Sequence, residues 1–177
     1  MSDALQQDCN LELAATIAEA GARGNPLYIR GGNSKRQILG RDCTATTLDV
    51  SAHRGITDYQ PSELVLTARG GTPLVDIQTA LAKEGQVLPF EPALFDGQAT
   101  LGGTVACNLS GPARPWAGSV RDLILGVQLI VGSGQLLHFG GKVMRNVAGY
   151  DVSRLQAGAL GPLGVLSEIS IKVLPRF

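Results

Sequence analysis

The chain has 177 residues, 44% of them apolar, with 15 basic and 15 acidic side chains. This composition excludes a disordered segment and fits a globular domain with its own core. Without a basic stripe, the balanced charge also argues against nucleic acid as a partner. The longest apolar stretch, LILGVQLIV at 123–131, falls far short of the roughly 20 residues that a membrane-spanning helix needs. The N-terminus shows no basic patch ahead of an apolar block, so a cytoplasmic protein is expected.

Residues 10–24 read as a helix, with Leu11, Ala14, Ala15, Ala18 and Ala22 at helical spacing and Gly24 closing it. Pro26 resets the chain, and LYIR (27–30) reads as a short strand entering the loop GGNSK. ATTLDVS and LVLTA (64–68) read as further strands. Thr72 and Pro73 look like a helix entry, with a capping hydroxyl, proline at the first position and Asp76 in the first turn. Leu74, Ile77 and Leu81 would form its buried face, with Gly85 at its end. QVLP reads as a short strand and FEPALFDGQ as irregular loop.

ATLGGTVACNLSG (99–111) then reads as a loop feeding a helix capped by Thr100. RDLILGVQLIV and QLLHF flank a GSG turn and predict a hairpin. Residues 151–155 read as a short helix, and VLSEISIKVLP as a half-exposed strand ended by Pro175. The expected class is α+β.

Glycine is the compositional outlier, at 23 residues, and three glycine-rich loops could carry function. RGGNS (30–34) follows a strand, and consecutive N–H groups in such a turn form an anion nest. Gly102 and Gly103 stand at a helix entry, where unpaired N–H groups favour an anion or a polar ligand edge. Gly103, Ala106, Ser110 and Gly111 would keep that surface flat. The third loop is AGALGPLG, ahead of the last strand. Each could equally be a tight turn or a close packing contact. The familiar nucleotide motifs are absent: Leu136 and Val143 break a P-loop around Gly141-Lys142, and no G-x-G-x-x-G opens a helix after the first strand.

Three cysteines (Cys9, Cys43, Cys107) and two histidines (His53, His138) fit neither a disulfide framework nor a zinc pattern, so no metal site is expected.

Taken in order, the segments TLGG, ACNLSGPARPWAGSVRDLILG, HFGGKVMRNVAGYDVSRL and GPLGVLSEISIKVLP resemble the FAD-binding domain of the vanillyl-alcohol oxidase and p-cresol methylhydroxylase superfamily. Within it they are similar to the FAD-binding subunits of bacterial glycolate oxidases. The resemblance implies an α+β fold of two subdomains, roughly 1–70 and 71–177, with FAD extended between them. It implies that Arg30, Gly31, Gly32, Asn33, Ser34 and Lys35 wrap the pyrophosphate. Pro92, Thr100, Leu101, Gly102 and Gly103 would line pyrophosphate and flavin, and Ala106, Asn108, Ser110 and Gly111 would continue along the flavin or ribityl chain. Gly161, Leu163, Gly164 and Val165 would lie near the cofactor as well.

Some members carry a covalently attached flavin on a histidine of the first loop. Asn33-Ser34 stands there instead, so non-covalent FAD is expected. Leu160 and Pro162 replace a Glu and a Thr of many relatives, removing one side-chain contact and one N–H donor. The family continues into a substrate-covering domain, whereas this sequence ends at LPRF, so that domain is expected to be absent.

The implied function is a component of an FAD-dependent oxidoreductase that oxidises glycolate or a similar 2-hydroxy acid, working with other subunits of a glycolate-oxidase-like complex. The alternatives are a non-catalytic flavin-binding partner used for assembly or electron relay, and a generic phosphate-ligand binder. No catalytic residue is assigned. Arg114, Arg121 and Arg145 read as ion-pair or phosphate neighbours, His138 as a packed core histidine, Asp151 as a helix cap and Trp116 as a packing anchor or interface residue.

Overall fold

A computed structural model describes residues 7–39, 44–141 and 150–176. Cys43 and Arg145 lie outside the described residues. The first helix, α1 (Asn10–Arg23), closes on Gly24 at φ 67°, whose N–H returns to Gly21 O at 3.1 Å. Its buried face is Leu13, Ile17 and Ala20, not the alanine-rich face expected: Leu11 is 90% exposed. Leu13 and Ile17 turn inward because that stripe meets Leu48 of the chain's next parallel pair and Ile130 of the main sheet.

The chain then forms β1 (Leu27–Arg30), α2 (Arg36–Leu39) and β2 (Thr46–Asp49), with β1 and β2 paired in parallel. β3 (Ile56–Gln60), absent from the sequence reading, pairs antiparallel with β4 (Val65–Arg69). α3 (Leu74–Lys83) buries Leu74, Ile77 and Leu81 as expected. Its start differs: Pro73 is itself the cap residue, and the Thr72 hydroxyl bonds Gly55 N (2.9 Å) and Gly55 O (3.2 Å) instead. At 1% exposure Thr72 locks the β3 entry rather than capping the helix.

β5 (Gln86–Val87) leads through loop 88–99 into α4 (Leu101–Cys107), where Thr100 Oγ1 accepts the Gly103 N–H at 3.3 Å. Two short helices follow, α5 (Arg114–Ala117) and α6 (Val120–Leu123), the latter held by a Ser119–Asp122 capping box. β6 (Ile124–Ile130) and β7 (Leu136–Gly140) form the expected hairpin. α7 (Val152–Leu155) is capped by Asp151, whose Oδ1 accepts the Arg154 N–H at 3.0 Å. β8 (Val165–Lys172) and β9 (Leu174–Pro175) close the chain.

The main sheet runs β3-β4-β8-β6-β7. β8 is therefore central, between β4 and β6, and Val165, Ser167, Ile169, Ser170 and Ile171 are all buried. This corrects the half-exposed strand: paired on both edges and covered by α4, it cannot keep a fully wet face. Conversely β7 is an edge strand whose His138 is exposed, so His138 is no core histidine. Trp116, 86% exposed, anchors no packing among the described residues.

Two apolar clusters result. The larger sets α3 and α4 against the sheet around Leu66, Leu74, Ile77, Leu101, Val105 and Ile169. The smaller joins Leu13 and Ile17 to Leu48, Val50, Ile130 and Val165.

Candidate functional site

A cavity of about 340 Å³ opens where these two clusters meet. One wall is the end of β1 with loop 30–36. The facing wall is built from Thr100, Gly102, Gly103, Ala106 and Cys107 of the α4 segment, with Gly161, Gly164 and Val165 before and at β8. A second hollow of about 500 Å³ lies beside it and shares Gly31, Gly32 and Thr100. The two hollows are therefore neighbours with the glycine loop as a common wall.

The loop is shaped by close backbone approach. A Cβ at Gly32 would sit 1.6 Å from Gln98 O, and one at Gly31 would sit 2.8 Å from Thr100 Oγ1. Asn33 occupies the left-handed region at φ 55°, and its Oδ1 accepts the Tyr28 hydroxyl at 2.8 Å. Among the described residues, the N–H groups of Gly31, Gly32, Asn33, Ser34 and Lys35 donate no hydrogen bond. Consecutive unpaired donors in a glycine turn are the physical requirement for holding a phosphate.

The α4 entry differs. Leu101 N donates to Thr72 O (2.9 Å), Gly102 N to Gly70 O (2.8 Å) and Gly103 N to Thr100 Oγ1. Those donors are consumed internally, so this wall offers a smooth surface rather than an anion nest. Gly102 lies 2.9 Å, Cβ to oxygen, from Gly70 O, so a side chain there meets backbone.

The charges around the cavity are unevenly neutralised. Arg30 is ion-paired with Asp49, whose carboxyl falls to about 2 through hydrogen bonds from Ser51 and Arg30. Arg36 lies over the Tyr28 ring at 5.4 Å. Lys35 is 7% exposed; its Nζ reaches Ser34 Oγ at 3.3 Å and lies 5.1 Å from the Phe95 ring centre. No carboxylate pairs with it among the described residues. Burial lowers the Lys35 pKa, and burial raises that of the neighbouring Cys107 thiol, with Lys35 opposing.

Of the residues expected at the cofactor, six lie off the main cavity wall. Pro92 is buried in the 88–99 loop. Leu101 points wholly into the larger core. Asn108 closes α4 in the left-handed region with a buried, unpaired Oδ1. Ser110 Oγ accepts the Val120 N–H at 2.9 Å, and Gly111 N donates to Phe90 O at 2.7 Å. Leu163 is exposed. The cavity also takes in Tyr28, Ile29, Val50, Gly70, Gln156 and Leu160, which sequence reasoning did not assign. One signal was available: Arg69-Gly70-Gly71 repeats the Arg30-Gly31-Gly32 pattern. Among the described residues no cluster of His, Cys, Asp and Glu could hold a metal ion, and no helix is long and apolar enough to cross a membrane.

A glycine loop with unpaired donors among the described residues, a buried lysine and a smooth apolar wall around two adjoining hollows suit a flavin dinucleotide, and the sequence matches the FAD binding domain family over residues 8–140. The chain belongs to that family.

Over 96% of its length it is 57% identical to glycolate oxidase subunit GlcE of Escherichia coli, covering 48% of that protein. It is 30% identical over 68% of its length to glycolate oxidase subunit GlcD of Bacillus subtilis, covering 26% of it. To a D-lactate dehydrogenase of Archaeoglobus fulgidus it is 25% identical over 93% of its length, covering 37% of it. The chain thus spans about half, or less, of the curated relatives it matches.

Proposed function

We propose that the chain is the FAD-binding part of an oxidoreductase subunit, in a complex that oxidises glycolate or a similar small 2-hydroxy acid to the 2-oxo acid. The observation that carries this reading is the run of N–H groups at 31–35 that, among the described residues, donate no hydrogen bond, in a loop that lines the main cavity. The names of the relatives supply the substrate class. We put the division between the two subdomains just before β3, since β3 and β4 share their sheet with β6 and β8.

When bound, the flavin supplies the acceptor for the two electrons released by the alcohol. The chain's own residues bind and orient. Loop 31–35 holds the diphosphate, while Gly102, Gly103 and Ala106 form a close wall that excludes water from the ring system. Non-covalent binding is supported by the histidines, since His53 is buried with both ring nitrogens engaged and neither histidine lines the cleft.

Among the described residues no carboxylate or histidine lines the main cavity. This favours proton abstraction by a group on the remainder of the protein or on a partner subunit. It also keeps open the second reading, a non-catalytic flavin-binding partner for assembly or electron relay. Assaying the full-length protein alone and with its partner separates the two, since turnover only with the partner supports the second.

A further inference from the structure

We propose that the second hollow is a separate site for a small oxyanion, with Arg54 as its counter-charge. This rests on the reading of the main cavity as the cofactor site. The groups which that reading uses, loop 31–35 and the wall of Gly102, Gly103 and Ala106, line the main cavity, whereas Arg54 lines the second hollow and not the first. Among the described residues Arg54 is the one charged side chain that lines this hollow, beside Ser51, Gln7 and Gln98. No aromatic or large aliphatic side chain lines it, so it offers no platform on which a flavin or adenine ring could stack.

The neighbouring carboxylates are already taken. Asp49, which accepts the Ser51 N–H at 2.9 Å, pairs with Arg30, and Asp8, next to Gln7, pairs with Arg69 at 3.2 Å. Arg54 is half-buried, and among the described residues its guanidinium has neither an ion-pair nor a hydrogen-bond partner. Its backbone, by contrast, is pinned. Gln7 N donates to Arg54 O at 2.9 Å and Arg54 N to Gln7 O at 3.2 Å. A Cβ at the adjoining Gly71 would stand 2.3 Å from Val50 O and 2.6 Å from His53 O. These contacts fix the main chain that carries Arg54 without engaging its side chain. A guanidinium stays charged at any working pH and presents paired N–H donors, which a carboxylate or phosphate matches with two oxygens. The shared chemistry is therefore a small oxyanion, supplied by a small organic acid or by free phosphate.

The test is calorimetric titration of the FAD-loaded full chain with glycolate, oxalate and inorganic phosphate at constant ionic strength, for wild type, Arg54→Met and Arg54→Lys. FAD affinity is measured separately on flavin-stripped protein. Wild type should bind these anions; tighter binding of the acids assigns the site to a carboxylate and tighter binding of phosphate to free phosphate, and either result supports it. Arg54→Met should weaken anion binding at least ~10-fold, as loss of charge-assisted hydrogen bonds implies, with FAD affinity unchanged. Arg54→Lys, charged but without the paired donors, should fall between the two.

Wild-type anion affinity in Arg54→Met, or no anion binding by FAD-loaded wild type, would overturn the inference and leave the FAD reading standing. A parallel loss of FAD affinity in Arg54→Met would also overturn it, because the dinucleotide itself would then occupy this hollow. Failure of wild type to bind FAD would overturn both. If Arg54→Met does not fold, Arg54→Lys decides: weakened anion binding with unchanged FAD affinity supports the inference, and wild-type anion affinity refutes it.

Discussion

The Gly32 backbone lies against the Gln98 carbonyl so closely that a Cβ would stand 1.6 Å from that oxygen. The approach locks the first loop onto the segment entering α4. Gly32→Ala must therefore push the two apart, at a cost of about 1–3 kcal/mol in stability, with FAD affinity falling too. Chemical denaturation and flavin fluorescence titration read both; unchanged values would mean the loop accommodates a side chain.

His53 ties the N-terminal segment to the central sheet. Its Nδ1 accepts the Cys9 N–H (2.9 Å), so Nε2 carries the proton toward Ser167 Oγ (3.0 Å), which in turn donates to Asn10 Oδ1 (2.5 Å). Desolvation lowers the His53 pKa from 6.5, partly offset by Asp8 and Glu168, while Arg69 lowers it further. The folded form then binds fewer protons than the unfolded one. This contribution is intact above pH 6.5 and is lost as pH falls from there through the lowered value. Thermal midpoints should drop across that window, and His53→Gln should flatten the drop.

Cys107 lines the main cavity, whereas Cys9 lies at the start of α1. Saturating FAD should slow alkylation of Cys107 and leave Cys9 unchanged, as read by peptide mass spectrometry. Because burial raises the Cys107 pKa, its reaction in the absence of ligand should be slow at neutral pH and accelerate in alkali. Equal Cys107 rates with and without FAD would place the ligand elsewhere.

Ile169 is fully buried on β8, with Ala68 of β4 and Val127 of β6 as its cross-strand partners. Ile169→Ala should cost about 2–5 kcal/mol, measured by denaturant unfolding. A loss below about 1 kcal/mol would fit a peripheral strand instead.

Much of the architecture was legible because local signals and tertiary packing agree. Gly24 stops α1, Thr100 caps α4 and Asp151 caps α7, each through a local contact that sequence spacing encodes. What failed depends on distant partners. ITDYQ carries little apolar alternation, and β3 exists because β4 offers it an edge. The inward face of α1 follows from where β2 and β6 lie, which spacing alone does not tell.

Within the site, the glycine loops announced themselves, but their roles divide. Loop 31–35 keeps free donors, while Gly102 and Gly111 serve close packing against Gly70 O and Glu91 O. Cys107, Gly70 and Leu166 reach the cavity only through tertiary folding.

The most direct test of the central claim is the visible absorbance spectrum of the purified full chain after incubation with FAD and removal of unbound ligand. The account predicts flavin absorbance that stays with the protein and is released as intact FAD on denaturation, showing non-covalent binding. A colourless protein whose denatured sample releases no flavin would contradict it.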